Sequence, residues 1–469
     1  MFIGREEELK FLRKMVSQNA PGVAVLYGRR RIGKSALIRE AFIQNEKILF
    51  FEGLEDQSQS AQMANFIFQL KKQISIELPN SVPKTWRECL DLLTPILKKN
   101  KYIVVFDEFQ WMANYRHTLV SDLKMIWDQY WSQSKMRGLV LCGSVASFMT
   151  KNVIRSKAFY GRVNTVIHLQ ELAPSEAKQI LPRQSVDDCL IAMMHLGGVP
   201  FYLRQIESYA SLSEAIENLC FTTNGYFAGE FSRIFASHFG KSAHFLRIIR
   251  SLSDAPQGVS RTTLAEMTGI PLGGTLSGML DDLESAGFIS HYVPFDKPED
   301  ARLRKYQLSD SYLNFYFSFI HKNLKQMRPQ ARTIFQNIYG SPAYAAWLGF
   351  AFERFCVHNN SIIAKILGFD GVNYRVGPLF QAKTIDNPGM QIDLLFDRGD
   401  NTIIVCEMKY SRVPIKLGVS QETQRKIDIL RERTRKTILP VLITNNIPSK
   451  ELAKSSYFYK TIRAESFFS

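Results

Sequence analysis

The sequence is poor in several features that mark whole classes of protein. Its six cysteines include no CxxC pair, so we expect reduced core thiols and no zinc site. No apolar run reaches the length of about 18 residues that a transmembrane helix needs. The first residues turn acidic where a secretory signal peptide requires an apolar stretch. We therefore expect a soluble, cytoplasmic protein without a membrane partner.

Acidic side chains are also in the minority. The chain has 59 lysines and arginines against 44 aspartates and glutamates, which leaves a formal net charge of +15 at pH 7. Such a charge favours a polyanionic partner, nucleic acid above all, through counterion release. Charge alone leaves the identity of the partner open. A length of 469 residues suits about three domains of ordinary size.

A glycine-rich turn follows the first apolar run. Val23 to Tyr27 is typical of a strand, and the next eight residues, GRRRIGKS, match the phosphate-binding loop pattern at the start of a helix predicted over 34–45. In such loops main-chain N–H groups and the helix N-terminus hold phosphates, the lysine reaches the β and γ phosphates, and the serine binds Mg²⁺. The predicted ATP-binding residues are Gly28, Arg31, Ile32, Gly33, Lys34, Ser35 and Ala36.

Two adjacent carboxylates end a second apolar run, over 102–106. Asp107 would hold the metal's water shell, and Glu108 would act as a catalytic residue by polarising the attacking water. Further strands over 47–52 and 139–142, with a helix over 60–75, predict a parallel α/β sheet with helices on its faces, within residues 1–170. Ser144 and Arg162 follow the last strand and could sense the γ-phosphate; a plain turn and a surface arginine are the alternatives.

Helical spacing takes over from residue 171, with a helix start at Pro174. We interpret residues 171–240 as a helical lid. The turn Gly197-Gly198-Val199-Pro200 either swings this lid against the nucleotide or is simply a corner between helices.

Residues 241–320 predict a winged helix: helices over 244–252, 262–268 and 276–286, then strands over 288–292 and 305–308. Its third helix would enter a major groove. That helix carries Asp281, Asp282 and Glu284 but no basic residue. Packing against protein is therefore at least as consistent with the sequence as DNA reading.

The last predicted domain, residues 331–469, follows a basic and polar linker over 322–330. Strands over 390–396 and 402–409 form a hairpin that can bring Asp393 and Glu407 to a shared Mg²⁺ or Mn²⁺, with Lys409 beside them and Glu353 as a further ligand from a helix. Asp393, Glu407 and Lys409 would then be catalytic. The alternative is a buried salt-bridge network without chemistry.

The combined motifs resemble a known family. Phe2-Ile3-Gly4-Arg5, the phosphate loop, Asp107-Glu108, Gly143-Ser144 and the 197–200 turn are similar to the archaeal-type ATPases of the STAND class, relatives of AAA+ proteins. The resemblance implies that Ile3, Gly4 and Arg5 contact the base of the nucleotide. It also implies that Pro200 belongs to a nucleotide-sensing corner.

The tail resembles a second group. Phe352-Glu353, Ile392-Asp393 and Glu407-Met408-Lys409 are similar to the PD-(D/E)xK nuclease signature, which implies a restriction-endonuclease-like α/β fold. The glutamine of that pattern could be Gln421 or Gln424.

Three functional hypotheses follow. The main one is a Mg²⁺-dependent ATPase switch that controls a C-terminal domain that binds DNA, with cleavage left open. The rival is a signalling or scaffold protein that forms homo-oligomers through its ATPase domain and whose tail holds DNA or protein without cutting. The third is an ATP-driven translocase or remodeller.

Overall fold

The computed structural model describes residues 2–43, 47–74, 83–239, 242–293, 295, 303–329, 333–381 and 389–469. It divides into two units, Met1–Glu171 and Leu172–Ser469. In these described ranges no helix is long and apolar enough to cross a membrane.

The first unit alternates strands with helices. Its strands are β1 (Gly22–Tyr27), β2 (Lys47–Glu52), β3 (Tyr102–Asp107), β4 (Gly138–Gly143) and β5 (Val163–His168). Its helices are α1 (Glu6–Val16), α2 (Lys34–Phe42), α3 (Gln59–Gln73), α4 (Trp86–Asp91), α5 (Thr94–Lys99), α6 (Phe109–Met112), α7 (Thr118–Gln129) and α8 (Ala146–Phe148), with a 3₁₀ turn at Trp131–Gln133 and a π-helical turn at Met149–Ile154.

The five strands form one parallel sheet in the order β2-β3-β4-β1-β5. The central strands are apolar along their length because helices cover both faces of a parallel sheet, and β4 is buried throughout. The predicted parallel sheet is confirmed. Strand β5 was not predicted, because it is an edge strand in which polar Asn164 and Thr165 interrupt the apolar pattern.

The second unit is mixed. Its helices are α9 (Pro174–Ile180), α10 (Val186–Leu196), α11 (Pro200–Glu207), α12 (Leu212–Cys220), α13 (Tyr226–Phe239), α14 (Ala243–Ser253), α15 (Arg261–Thr268), α16 (Gly274–Ser285), α17 (Ser311–Phe315), α18 (His321–Asn323), α19 (Ile334–Tyr339), α20 (Pro342–His358), α21 (Asn360–Ile366), α22 (Gly418–Arg431) and α23 (Lys450–Lys454), with a π-helical turn at Tyr316–Ile320 and 3₁₀ turns at Leu324–Gln326 and Ala464–Phe467. Its strands are β6 (Val259–Ser260), β7 (Ile289–Tyr292), β8 (Lys305–Leu308), β9 (Tyr374–Gln381), β10 (Met390–Arg398), β11 (Thr402–Lys409), β12 (Thr437–Thr444) and β13 (Lys460–Arg463).

Aromatic side chains join α10 to α20. His195 is wholly buried, its Nε2 lies 2.9 Å from the Tyr344 hydroxyl, and its ring stacks 5.3 Å from that of Trp347. Burial lowers the pKa of His195 to about 3, so the imidazole is neutral. The segment predicted as a lid is therefore packed against the helix that precedes the C-terminal sheet.

Residues 243–308 run helix, strand, helix, helix, strand, strand, and their three strands form a sheet in the order β6-β8-β7. The predicted helices and the strands β7 and β8 are present. The short strand β6 was missed, because two residues carry no periodicity. The winged-helix assignment remains a prediction, as do the predicted domain boundaries.

The C-terminal sheet has the order β13-β12-β11-β10-β9. The pairs β9–β10 and β10–β11 are antiparallel, whereas β11–β12 and β12–β13 are parallel. The predicted hairpin of β10 and β11 is confirmed. Within the predicted linker over 322–330, α18 ends at Asn323 and a 3₁₀ turn covers Leu324–Gln326. The linker itself stays a prediction, and residue 330 lies outside the described residues.

A buried carboxylate fixes α19 to α12. Glu217 accepts the main-chain N–H of Ile334 at 3.2 Å and that of Phe335 at 2.8 Å. These are two of the first N–H groups of α19, which have no partner within their own helix. Glu217 therefore caps a helix more than a hundred residues away in sequence.

We expect Glu217→Ala to destabilise the second unit by about 1–3 kcal/mol, because it leaves one buried and one half-buried donor without an acceptor. The measurement is urea unfolding of the full chain by circular dichroism. Glu214→Ala, at an exposed site on the same helix, is the matched control and should stay within about 0.5 kcal/mol of wild type. Equal midpoints for the two variants would contradict the capping role.

Candidate functional site

The predicted phosphate loop joins β1 to α2. A Cβ atom added to Gly28 would lie 2.4 Å from the main-chain oxygen of Leu169, so a side chain at this position would collide with the backbone. Gly33, the residue before α2, has φ +96°, a left-handed conformation that favours glycine. Arg31 also adopts a positive φ, of 70°. These conformations curl the chain between the end of β1 and the start of α2.

Lys34 lies inside this curl. Its side chain is 5% exposed, and its Nζ donates to the main-chain oxygens of Gly28 and Arg29, each at 3.0 Å. The loop thus holds a buried ammonium group next to the N-terminus of α2. That is the charge arrangement that binds phosphate at helix N-termini.

Ser35 and Asp107 meet between the loop and β3. The Ser35 hydroxyl donates to Oδ2 of Asp107 at 2.5 Å, and the aspartate is 3% exposed. A hydroxyl and a carboxylate are the hard oxygen donors that Mg²⁺ prefers. The donor set therefore fits the metal that the sequence predicted, with Ser35 and Asp107 as the residues that would hold it.

Glu108 begins the short helix α6 with a left-handed φ of 49°. This conformation is rare outside glycine and marks a locally strained backbone, of the kind often found at functional sites. The Glu108 Oε2 accepts a hydrogen bond from Ser144 Oγ at 2.6 Å. The structure thus brings together Glu108 and Ser144, which the sequence analysis predicted separately.

The strand order explains this convergence. In the parallel sheet β4 lies between β1 and β3. The phosphate loop, Ser144 and Asp107 therefore all lie at the carboxyl ends of neighbouring strands, on the same edge of the sheet. Glu52 ends the neighbouring β2 directly beside Asp107, and the sequence analysis missed it. Burial, and then the charges of Asp107 and Glu108, raise the pKa of Glu52. The edge is therefore rich in negative charge.

Gln110 was also missed. It is wholly buried on α6 and hydrogen-bonds both Glu108 and Ser144. The sequence signal for Gln110 is its position within three residues of an acidic pair. A glutamine amide that is buried at such a position needs hydrogen-bond partners.

The N-terminal residues predicted to contact the base precede α1. Gly4 and Arg5 both have φ of 65°. The Arg5 guanidinium is buried, donates to the main-chain oxygen of Gln170 at 2.5 Å and lies 3.5 Å from Glu8. The roles of Ile3, Gly4 and Arg5 at the base stay predictions, as do those of Ile32, which is buried, and Ala36, which is exposed.

The structure does not bring Arg162 to the loop. It precedes β5, whose first residue pairs with Val23 near the start of β1, so it lies about 15 Å along the sheet from the loop. Asp128 binds its guanidinium through two bonds of 2.6 and 2.8 Å. The Arg162 bond holds the pKa of Asp128 below its usual range.

Pro200 begins α11 in the second unit, after Gly197, whose φ of 72° requires glycine at the end of α10. Whether Pro200 or Arg162 senses nucleotide stays a prediction.

In the second unit the predicted acidic and lysine residues do converge. The antiparallel pairing of β10 with β11 ends at Leu394 and Cys406, and Asp393 and Glu407 are the next residue on each strand. Lys409 Nζ lies 2.8 Å from Glu407 Oε1. Glu353, on α20, belongs to the same cluster: burial, and then the Asp393 charge, raise the pKa of its carboxyl to about 7.

A second lysine, missed by the sequence analysis, completes the cluster. Lys426 is buried on α22, and its Nζ lies 2.8 Å from Glu407 Oε2. This helix presents Lys426 to the sheet, whereas Gln424 bonds Asp428 at 2.6 Å and Gln421 is exposed. A helical period from Thr423 and Ile427 could have indicated that position 426 also faces the core.

These contacts use both oxygens of Glu407 and one of Asp393. Both oxygens of Glu407 are paired with ammonium groups, and Asp393 Oδ1 accepts from the Gln391 amide at 2.6 Å. Over the described part of the chain, no three histidine, cysteine or acidic side chains are arranged to hold a metal ion, and this applies equally to the strand ends of the first unit. The ion pairs of Glu407 with Lys409 and Lys426 are those of a buried salt-bridge network.

The chain has relatives among known proteins. Residues 2–206 match a family described as "ATPase domain predominantly from Archaea". An uncharacterised protein of Methanocaldococcus jannaschii is 24% identical over 361 residues, which cover 76% of each chain. A protein of the same organism, named as an uncharacterised ATP-binding protein, is 48% identical over 48 residues, which cover 10% of this chain and 80% of that protein.

Among solved structures, the chain is similar to a Walker-type ATPase of Pyrococcus abyssi, with 18% identity and a TM-score of 0.49 over 67% of this chain and 96% of that one. The family match contains the phosphate loop, Asp107-Glu108 and Ser144, the residues that meet at one edge of the parallel sheet. Residues 2–206 of this chain therefore belong to the family of ATPase domains found predominantly in Archaea.

Proposed function

We propose that the protein is a Mg²⁺-dependent switch ATPase that binds and hydrolyses ATP at the edge of the first-unit sheet. One observation carries the proposal: a buried lysine inside the phosphate loop, a hydroxyl–carboxylate pair and a second carboxylate lie at the same strand ends. The relative named as an ATP-binding protein supports ATP as the nucleotide.

Each residue of the site has a separate role in phosphoryl transfer. Main-chain N–H groups of the loop bind phosphate oxygens, and Lys34 exchanges its bonds to the Gly28 and Arg29 carbonyls for bonds to the β and γ phosphates. Ser35 and Asp107 would hold Mg²⁺, which neutralises charge that develops on the phosphate. Glu108 orients the attacking water and accepts its proton.

We expect Lys34→Ala to abolish ATP turnover, because the loop loses the charge that stabilises the transferred phosphate. Phosphate release measures turnover, and calorimetry with ATP measures binding. Lys10→Ala, an exposed position on α1, is the matched control and should behave like wild type. Wild-type turnover by Lys34→Ala would end the proposal.

Glu108→Gln should separate binding from hydrolysis. The amide keeps the shape of the carboxylate but accepts no proton, so kcat should fall about 10²-fold or more while ATP still binds. Single-turnover hydrolysis and ATP titration by calorimetry measure the two steps. A Glu108→Gln protein that hydrolyses ATP at the wild-type rate would assign the base to another residue.

For the second unit we propose binding under nucleotide control, without DNA cleavage. Two lysines neutralise Glu407, and the excess of positive charge on the chain favours nucleic acid as the bound partner. Both observations support the signalling or scaffold hypothesis, in which a nuclease-like tail holds DNA or protein. The nucleotide state would then govern when the partner is held.

Supercoiled plasmid incubated with the wild-type protein, ATP and Mg²⁺ or Mn²⁺ should stay intact, because both oxygens of Glu407 are already paired with lysines. Agarose electrophoresis detects nicking, and a gel shift in the same buffer measures DNA binding. Nicking by wild type that disappears in Asp393→Ala would overturn this view and restore metal-dependent cleavage. Asp400→Ala, in the exposed turn between β10 and β11, is the matched control.

A further inference from the structure

The Glu108 carboxylate is held through one of its two oxygens. Oε2 accepts a bond of 2.6 Å from Ser144 Oγ and a short bond from Gln110 Nε2. Among the described residues no donor bonds Oε1. Two donors on one oxygen fix the direction of the carboxylate, and Oε1 is then the atom that can accept a proton from water.

Gln110 uses both ends of its amide for this purpose. Nε2 also donates to Ser144 Oγ at 3.0 Å, and Oε1 accepts the main-chain N–H of Ser144 at 3.3 Å. An amide NH₂ carries two hydrogens, so it can serve the hydroxyl and the carboxylate at once. Gln110 therefore ties the end of β4 to the start of α6.

The neighbouring backbone leaves room for this side chain. A Cβ atom on Gly143 would lie 2.8 Å from Gln110 Oε1, so a larger residue at position 143 would displace the amide. Gln110 is wholly buried, which excludes water as a competing partner. A buried, fully bonded amide holds its partners in one arrangement.

The Ser144 hydroxyl has a single hydrogen to give. In this structure Glu108 receives it. A γ-phosphate that takes this hydrogen removes one of the two bonds on Glu108 Oε2, whereas ADP, which lacks that group, leaves both bonds in place. Gln110 alone then keeps the carboxylate in position while ATP is bound.

We propose that Gln110 is a positioning residue that holds Glu108 for hydrolysis and links its position to the γ-phosphate through Ser144. The inference rests on the ATPase function proposed above. Gln110 touches neither nucleotide nor water in this scheme and acts through Glu108. Its loss should therefore lower the rate of the chemical step and leave the affinity for ATP nearly unchanged.

Steady-state kinetics of the full chain test this. Gln110→Ala should lower kcat about 10- to 100-fold, the cost of a misplaced catalytic group, with KM for ATP within about threefold of wild type. Gln110→Glu, nearly the same shape, should lose at least as much activity because it sets a second carboxylate against Glu108. Gln73→Ala is the matched control: that amide also makes paired bonds, to the main chain of Phe50 on β2, and kcat should be unchanged.

The double variant gives a second readout. Gln110 bonds both Ser144 and Glu108, so its removal also releases the Ser144 hydroxyl. The kcat loss in Gln110→Ala/Ser144→Ala should therefore be smaller than the product of the two single losses. Multiplicative losses would overturn the linkage to Ser144.

The outcomes separate the inference from the function on which it rests. Wild-type protein that hydrolyses no ATP, like Lys34→Ala, removes the proposed function itself. An active wild type with unchanged kcat in Gln110→Ala, or a loss confined to KM, refutes the role of Gln110 alone. If circular dichroism shows that Gln110→Ala does not fold, the folded Gln110→Glu protein becomes the test. A wild-type kcat in that variant refutes the proposed role of Gln110.

Discussion

The candidate nucleotide site depends on one constraint, the parallel arrangement of β1, β4 and β3 as direct neighbours. Parallel strands end at the same edge of a sheet, and helices buried on both faces hold the strands in register. The residues that follow each strand therefore lie close together, although they are far apart in sequence. The phosphate loop, Ser144 and Asp107 meet for this reason, and Gly28 is needed because the backbone after β5 passes too close for a side chain.

The two clusters of charged residues differ in how their carboxylates are paired. In the first unit Asp107 is bonded by a hydroxyl, and Glu108 by a hydroxyl and an amide, so their negative charge remains to be balanced by a cation. In the second unit two lysines bind Glu407, and its charge is already balanced. Burying a charge is costly unless it is paired. The first arrangement is suited to a metal–triphosphate complex, and the second to holding α22 against the sheet.

The sequence was most informative where local pattern and chemistry coincide. The order of strands and helices around Gly28–Ser35 requires only periodicity and glycine positions, and these predicted the sheet and the loop. The hairpin that faces Asp393 with Glu407 followed from alternation along two strands. Strands β5 and β6 were not predicted. Polar residues interrupt the periodic signal in edge strand β5, and β6 is too short, at two residues, to show one. Arg162 was predicted to sense the γ-phosphate within its own subunit or in a neighbouring one. It precedes β5 and binds Asp128, and its role stays a prediction.

By itself, then, the sequence determined the class of the first unit, the residues of its phosphate loop and the identity of its acidic pair, because each follows from contacts within a few residues of chain. Only the tertiary structure decided the partners of those residues. Gln110 bridging Glu108 to Ser144, Lys426 taking the second oxygen of Glu407, and Glu217 capping α19 all join segments whose distance in sequence is unrelated to their distance in space. Such pairings depend on strand order and on which face of a helix is buried, and the whole fold sets both.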